Sequence, residues 1–245
     1  MDYVEKLSQL AQLLSVPNSE AGISPYLAHS SQPDQVKLFV DGNLDKRRDK
    51  LHRQLEFVVP VFDSFDDLVA QYVEGSVLAA YDTGASDGCR MLDWLLDECN
   101  PTAVQTDYIS CQRARYSVEE AARLDRLAYI RFQEWYSLAE GFVPQFGCDD
   151  SLRAYLNPTR CWAQFFTDAL LEETAEPPVN VLFFAVGGAI GTAVFELEGQ
   201  TLINELAEFS PCTLDEWTAL TQLSSRTELA QFSADLVEIG LLSLG

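Results

Sequence analysis

The stretch VNVLFFAVGGAIGTAVFELEGQTLINELAEFSPCTLDEWTALTQLSSRTELAQFSADLVEIGLL, from Val179 to Leu242, decides the predicted fold of this chain of 245 residues. Two runs rich in apolar, β-branched and aromatic residues, Val179–Val186 and Ile190–Leu197, indicate two strands. Gly187 and Gly188 lie between them and supply the positive φ angles that a tight hairpin needs. Two strands followed by three short helices are typical of a winged helix.

The first helix after the hairpin is predicted over Thr201–Phe209, because Leu202, Leu206 and Phe209 recur at helical spacing. Pro211 cannot continue this helix, since proline lacks the backbone donor. The alternative interpretation of the same pattern is an ordinary helical tail on a small sheet.

Two capping boxes mark the other two helices. Thr213 with Glu216 predicts the start of a short second helix, and Ser225 with Glu228 predicts the start of a third. Gly240 is suited to end the third helix, because glycine readily adopts the left-handed conformation found at helix C-termini. The apolar positions of this third helix are Leu229, Phe232, Leu236 and Ile239.

The charge of the C-terminal region disfavours nucleic acid as its ligand. From Cys161 to Gly245 the chain has 13 Asp and Glu residues against one basic residue, Arg226, which gives 1 − 13 = −12. DNA affinity comes largely from Lys and Arg that neutralise phosphates, so an acidic module is repelled. An extended peptide fits better, because it can add to a strand edge through backbone hydrogen bonds. The residues predicted to contact such a peptide are Ile190, Thr192, Ala193, Val194, Phe195, Arg226, Leu229 and Phe232.

The composition of the whole chain limits the classes of protein to which it can belong. A net charge of −22 argues against nucleic acid and anionic membranes as general partners. No run of about 18 apolar residues occurs, so no transmembrane helix is predicted. The first residues, MDYVEKLSQL, lack the basic start and apolar block of a secretion signal, which predicts a cytoplasmic location. Without C-x-x-C spacing, the cysteines are interpreted as reduced, mostly buried thiols: Cys89, Cys99, Cys111, Cys148, Cys161 and Cys212.

The sequence offers few groups for catalysis. His29 and His52 are its two histidines, and neither has the context of a Ser-His-Asp triad or a metal site. The glycine-rich GGAIG at 187–191 joins two strands, whereas a phosphate-binding loop opens a helix. We therefore predict no catalytic residue, no metal site and no cofactor in this chain, with an unusual carboxylate enzyme as the alternative.

The segment before the hairpin is predicted to be helical. Helical spacing and capping patterns indicate helices over residues 2–15, 36–59, 64–81, about 91–96 and 117–140. Asn157-Pro158 predicts the start of another, through Trp162, Phe165 and Phe166. The predicted core side of the longest helix consists of Leu124, Leu127, Ala128, Trp135 and Leu138.

The predicted fold is mainly α. It joins an N-terminal helical domain over residues 1–175 to a small α+β winged-helix module over residues 176–245. The sequence EPP at 176–178 marks the boundary between them.

One basic stretch stands out in this acidic chain. KRRDKLHR at 46–53 holds five of the 16 Lys and Arg residues. Lys46, Lys50 and Arg53 lie opposite the apolar side of the predicted helix, and Arg47 and Arg48 are predicted to widen this basic face. The face is either a solvated helix surface or a docking patch for a protein partner.

This order of elements resembles the accessory subunits that partner multinuclear non-haem iron oxidative enzymes in ribosomal-peptide maturation. The matching residues stand where the family pattern has an arginine, two leucines, a helix-ending proline, and a phenylalanine and a tyrosine seven apart: Arg48, Leu51, Leu55, Pro60, Phe65 and Tyr72. RLDRLAYIRFQEW resembles the later long helix of the family. The sequence departs from the pattern at Asn43-Leu44, where the family has a Tyr-Arg pair, and at Arg131, where it has a glutamate.

The resemblance implies a partner protein that is not itself catalytic. In that family a C-terminal winged helix binds a leader peptide by strand addition, and the iron ligands lie in the partner enzyme. For this chain it implies that the leader of a ribosomally made precursor is captured and that a core residue, expected to be cysteine, is presented to an iron-dependent oxygenase. We predict that Lys46, Lys50 and Arg53 contribute to docking on that enzyme. The alternatives are a winged-helix regulatory or transcriptional adaptor and a stand-alone carboxylate enzyme.

Overall fold

The computed structural model describes residues 33–76, 86–139, 152–171, 176–221 and 225–245. They are mainly helical, with two small antiparallel sheets in the C-terminal region. The chain divides into two compact units, residues 1–112 and 113–245. The boundary predicted between residues 175 and 176 separates two domains that fold independently. Independent folding is a different property from compactness, so this boundary stays a prediction. The helix predicted over residues 2–15 lies outside the described residues.

The helices of the first unit follow the apolar pattern of the sequence. The unit contains the helix α1 (Pro33–Gln54), a 3₁₀ turn (Val59–Val61), α2 (Phe65–Gly75), α3 (Asp87–Glu98) and the first part of α4 (Ala103–Leu124). The predicted apolar stripe of α1 and the turn after it is buried, as expected, at Leu44, Leu51, Leu55 and Val58. Residues 77–81, predicted as the end of the second helix, lie outside the described residues.

Arg47 ties α1, α2 and α3 together in this unit. Its guanidinium donates two hydrogen bonds to the Asp87 carboxylate, at 2.8 and 2.9 Å, and one to the Ser76 carbonyl at 2.7 Å. The Tyr72 hydroxyl donates to the same carboxylate at 3.1 Å. The prediction that Arg47 widens the exposed basic face is therefore wrong, because its side chain is buried in an ion pair.

The longest predicted helix consists of two helices. α4 begins where Thr102 and Gln105 exchange side-chain to backbone hydrogen bonds of 2.8 and 3.3 Å. Ser117 lies inside α4, where its hydroxyl donates to the Arg113 carbonyl at 3.0 Å, so the predicted helix start at Ser117 is wrong. The second helix, α5 (Arg126–Ala139), belongs to the second unit.

The described residues of the second unit contain the last part of α4, α5, six strands and three further helices. After α5 come β1 (Arg153–Leu156), β2 (Cys161–Phe165), β3 (Val179–Val186), β4 (Ala189–Val194), α6 (Leu197–Phe209), β5 (Cys212–Thr213), α7 (Leu214–Leu220), α8 (Arg226–Glu238) and β6 (Leu242–Leu244). One sheet has the order β5-β1-β6, and the other has the order β2-β3-β4.

The predicted hairpin is confirmed, with different ends. β3 pairs with β4 from Val186 opposite Ala189, and the two turn residues, Gly187 and Gly188, have φ angles of 57° and 80°. Positive φ at both positions is the geometry of a type I′ turn. β4 ends at Val194 rather than at residue 197. The reason is that α6 begins at Leu197, four residues earlier than predicted.

Both predicted capping boxes are confirmed. Thr213 and Glu216 bond each other's backbone at the start of α7, and Ser225 and Glu228 do the same at the start of α8. Gly240, just after α8, has a φ of 77°, as a glycine that ends a helix should.

The helix predicted through Trp162, Phe165 and Phe166 is wrong, because residues 161–165 form strand β2. Asn157 does not cap a helix here. Its side-chain amide donates to two carbonyls of other segments, and β2 pairs with β3 along its full length. These long-range bonds decide the structure of a segment whose local pattern also suits a helix.

The buried side of α5 also differs from the prediction. Leu127 is 80% exposed rather than buried, and so is Leu124, the last residue of α4, at 66%. Phe132 is buried instead, and both Phe132 and Trp135 contact the ring of Tyr155 on β1. The sheet that contains β1 lies against this side of α5 and sets its buried face.

The core of the second unit lies between the helices α6, α7 and α8 and one face of the β3–β4 hairpin. The β5-β1-β6 sheet contributes to it as well, and Ala193 of β4 packs against it. Its buried members include Leu182, Phe184, Leu202, Leu206, Trp217, Leu229, Leu236 and Leu242. Within the described residues, no helix is long and apolar enough to cross a membrane.

Candidate functional site

The outer edge of β4 is the candidate site. β4 lies at the end of the β2-β3-β4 sheet, so its outer edge pairs with no other strand of the described residues. Such an edge presents unpaired N–H and C=O groups that an added strand can satisfy.

Hydrogen bonds on β3 show which residues of β4 point outward. The N–H of Ala185 donates to the Thr159 hydroxyl at 2.9 Å, and its C=O accepts from the Asn157 amide at 2.8 Å. Both partners lie just before β2, so the backbone groups of Ala185 point away from β4. Its register partner Ile190 is therefore in a non-hydrogen-bonded pair and points its own backbone groups outward. Because these directions alternate along a strand, the outward-pointing residues of β4 are Ile190, Thr192 and Val194.

The side chains of β4 divide between two faces. Ala193 and Phe195 pack against the core cluster. Thr192 and Val194 lie on the opposite face, where Thr192 is exposed and Val194 is 51% exposed. The strand AIGTAV at 189–194 contains neither a charged residue nor a proline, the two features that commonly protect an edge strand.

Half-buried aromatic rings connect the end of β4 with α8. The ring of Phe195 lies 6.2 Å from that of Trp162 on β2 and 6.1 Å from that of Phe232 on α8, both edge-to-face. Phe232 in turn lies 6.4 Å from the buried ring of Trp217 on α7. The helix is thereby held on the side of the sheet toward which Ala193 and Phe195 point.

A polar clamp fixes the point at which β4 ends. The side-chain amide of Gln200 on α6 donates to the Phe195 carbonyl at 2.8 Å. The carbonyl oxygen of the same side chain accepts from Asn180 on β3 at 2.9 Å. These two bonds hold the chain where it leaves the sheet, so the edge available to another strand ends close to Val194.

Of the predicted peptide contacts on α8, two are already engaged within the chain. Leu229 is fully buried in the core and presents no surface to a ligand. Arg226 lies 3.3 Å from Asp215 on α7 in an ion pair between half-exposed side chains. Phe232 remains half-buried and contacts the ring of Phe195, just after β4.

The exposed side of α8 is acidic. Glu228, Asp235 and Glu238 are all exposed along the helix. Hydrogen bonds from the backbone and side chain of Ser225 hold the pKa of the Glu228 carboxyl below its usual value. This helix therefore presents negative charge where a DNA-binding helix would need positive charge.

The predicted docking residues lie on α1. Lys46, Lys50 and Arg53 are all exposed, and Arg53 donates to the carbonyl of Asp49 at 3.2 Å. Lys46, Lys50 and Arg53 form what we call the basic stripe. It belongs to the first unit, whereas the β4 edge belongs to the second.

The residues with reactive side chains have structural contacts. His52 lies 3.2 Å from an Asp66 oxygen and packs against the ring of Phe65. Burial raises the pKa of the Cys212 thiol to about 11, which keeps it protonated near neutral pH. In the parts of the chain that the structure describes, no three or more His, Cys, Asp or Glu residues are grouped to hold a metal ion. The absence of a cofactor from the whole chain stays a prediction.

Comparison with known proteins adds no family to this description. No protein-family model matches the chain. No curated protein is significantly similar to it. The family resemblance drawn from the sequence therefore stays a prediction.

Proposed function

We propose that this chain is a peptide-capturing partner protein whose ligand adds as a fourth strand to the outer edge of β4. The observation that carries the proposal is the outward direction of the backbone groups of Ile190, Thr192 and Val194 on an uncharged edge strand. A ligand strand that pairs with all three positions gains up to six backbone hydrogen bonds, two for each residue.

The proposed ligand is the leader segment of a ribosomally made precursor peptide. A winged-helix element consisting of the hairpin and α6, α7 and α8 holds the leader between the β4 edge and α8. Side chains on one face of the bound strand meet Phe195 and Phe232, and those on the other face lie beside Thr192 and Val194. The acidic side chains exposed on α8 favour a leader that is neutral or basic where it lies between the β4 edge and α8.

The proposed consequence is presentation of a core residue, expected to be cysteine, to an iron-dependent oxygenase. Tethering the leader raises the effective concentration of the attached core peptide at the enzyme. The oxygenase holds the iron and performs the oxidation, while this chain binds the substrate and docks through the basic stripe. The acidic exposed side of α8 favours this function over a DNA-binding adaptor.

Amide hydrogen exchange tests the proposal at the level of single residues. The probe is a synthetic leader from a short, cysteine-bearing precursor peptide that a neighbouring gene is found to encode, added to the full chain in dilute solution. We expect the amides of Ile190, Thr192 and Val194 to become protected on binding, because they donate to the added strand. Gly191 and Ala193 serve as internal controls, since their amides already donate to β3. Saturating leader without protection at the three outward amides contradicts strand addition at this edge.

A further inference from the structure

We propose that a second copy of this chain occupies the β4 edge when no peptide is bound. Two β4 strands related by a two-fold axis at Thr192 run antiparallel. Ile190 of each copy then lies opposite Val194 of the other, and Thr192 lies opposite Thr192. All three positions are the outward-pointing ones, so every facing pair is hydrogen-bonded. The edge is therefore complementary to itself, as a two-fold interface requires.

The side chains of this edge suit the same pairing. Ile190, Thr192 and Val194 share one face of the strand, so Thr192 meets Thr192 and each Val194 meets an isoleucine. β-branched side chains and facing threonines are favourable cross-strand neighbours. The pairing also covers Val194, which is half-exposed in the single chain.

The charge distribution permits the pairing in spite of the acidic composition. In this register Glu196, the first acidic residue after β4, lies opposite Gly188 of the second copy and not opposite another acid. Two copies with a net charge of −22 each still repel one another over a longer range. Salt screens this repulsion, so the dimer should strengthen as the salt concentration rises.

Dimerisation through β4 regulates leader binding at the same edge, and this regulatory role rests on the proposed function. One edge cannot pair with a leader strand and with a second copy at the same time. Leader binding should therefore convert dimers into monomers, and the dimer protects an otherwise unguarded edge from unwanted pairing. The pairing itself follows from the geometry of β4 alone.

Cysteine cross-linking of the full chain tests the register. In the proposed dimer the two Thr192 residues face each other at about 5.5 Å between Cα atoms, within the range of a disulfide. Thr192→Cys should give a covalent dimer after mild oxidation. Ala189→Cys is the matched control, because two residues 189 lie roughly 20 Å apart in this register. Equal cross-linking of both variants, or of neither, overturns the register.

Sedimentation equilibrium of the wild type and of Thr192→Lys tests the dimer without a covalent bond. We expect a monomer–dimer equilibrium that shifts toward dimer with added salt, and roughly tenfold weaker association of the lysine variant, whose like charges face each other. A chain that stays monomeric at all concentrations and salt levels overturns the proposal.

The leader arm of the same experiment separates this inference from the proposed function. Dissociation of the wild-type dimer by the synthetic leader supports both. A dimer with the expected cross-link that binds no leader leaves the pairing supported and contradicts the proposed function. A leader that binds without shifting the equilibrium overturns the mutual exclusion.

Discussion

The side-chain amide of Asn157 donates a 2.8 Å hydrogen bond to the carbonyl of Ala185 and so ties the segment before β2 to the end of β3. The same amide donates to the Gly240 carbonyl at 3.3 Å, just after α8. Its oxygen accepts from the backbone and the hydroxyl of Thr159 at 3.0 and 2.8 Å. A single fully buried side chain therefore fixes the hairpin relative to the end of α8.

Asn157→Asp should be strongly destabilising, because a carboxylate cannot donate to the two buried carbonyls. We expect the free energy of unfolding to fall by about 3 kcal/mol or more, as for buried polar groups left without partners. Urea denaturation measures the change. Asn204→Asp is the matched control, because Asn204 is exposed and its side-chain oxygen, which the substitution keeps, accepts from Trp162 at 3.0 Å. A similar loss in both variants contradicts this account of Asn157.

Asp87→Asn should destabilise the first unit by about 3–5 kcal/mol, since it leaves the buried charge of Arg47 without its counter-ion. Asp45→Asn, in the exposed pair with Arg48 at 3.4 Å, should change the free energy of unfolding by less than about 1 kcal/mol. Urea denaturation followed by circular dichroism compares the two variants. Equal effects would show that burial of the Arg47 pair has no influence on stability.

Stability should depend on the ionisation of Glu228. Its pKa is lowered in the folded chain, so its contribution is present above the ordinary glutamate pKa of about 4.3. It is lost as the pH falls through the lower pKa of the folded state. Glu228→Gln should therefore be less stable than the wild type at neutral pH, and the difference should vanish in acid. Urea denaturation at a series of pH values measures this, with Glu238→Gln, at the other end of α8, as the control. A difference that stays constant with pH contradicts the role assigned to the carboxylate.

Charge reversal of the basic stripe, Lys46→Glu with Lys50→Glu and Arg53→Glu, should weaken co-purification with the proposed partner, an iron-dependent oxygenase. The loss should be larger at low salt, because exposed charges act mainly on the association rate and are screened by salt. Triple reversal of Arg123, Arg126 and Arg131, which are exposed cations near and on α5, is the matched control. If the two triple variants behave alike, the basic stripe is an ordinary solvated surface.

Features set by neighbouring residues could be predicted from the sequence. The glycine pair of the hairpin and the two capping boxes act within a few residues, so their patterns carry the necessary information. The apolar stripe of α1 was predictable for the same reason.

Features set by distant residues could not be predicted in this way. β2 becomes a strand because β3 is its partner, and α5 takes its buried face from the sheet that contains β1. Arg47 is buried because it pairs with Asp87, which lies forty positions further along the chain. For the candidate site, the edge strand itself could be predicted, but its outward residues depend on the exact length of the turn. The predicted strands leave three residues between Val186 and Ile190, whereas the turn has two, with Val186 paired to Ala189.

Isothermal titration calorimetry of the full chain with the synthetic leader tests strand addition most directly. The decisive variant is Val194→Pro, because Val194 points its amide outward and proline removes that donor without breaking the β3–β4 ladder. Val194→Thr, which keeps the donor and the branched side chain, is the control. We predict that the wild type and the threonine variant bind at micromolar concentration and that the proline variant binds at least about tenfold more weakly with an unchanged helical content. Equal affinity of all three proteins, or no binding by the folded wild type, would contradict capture of the leader at the β4 edge.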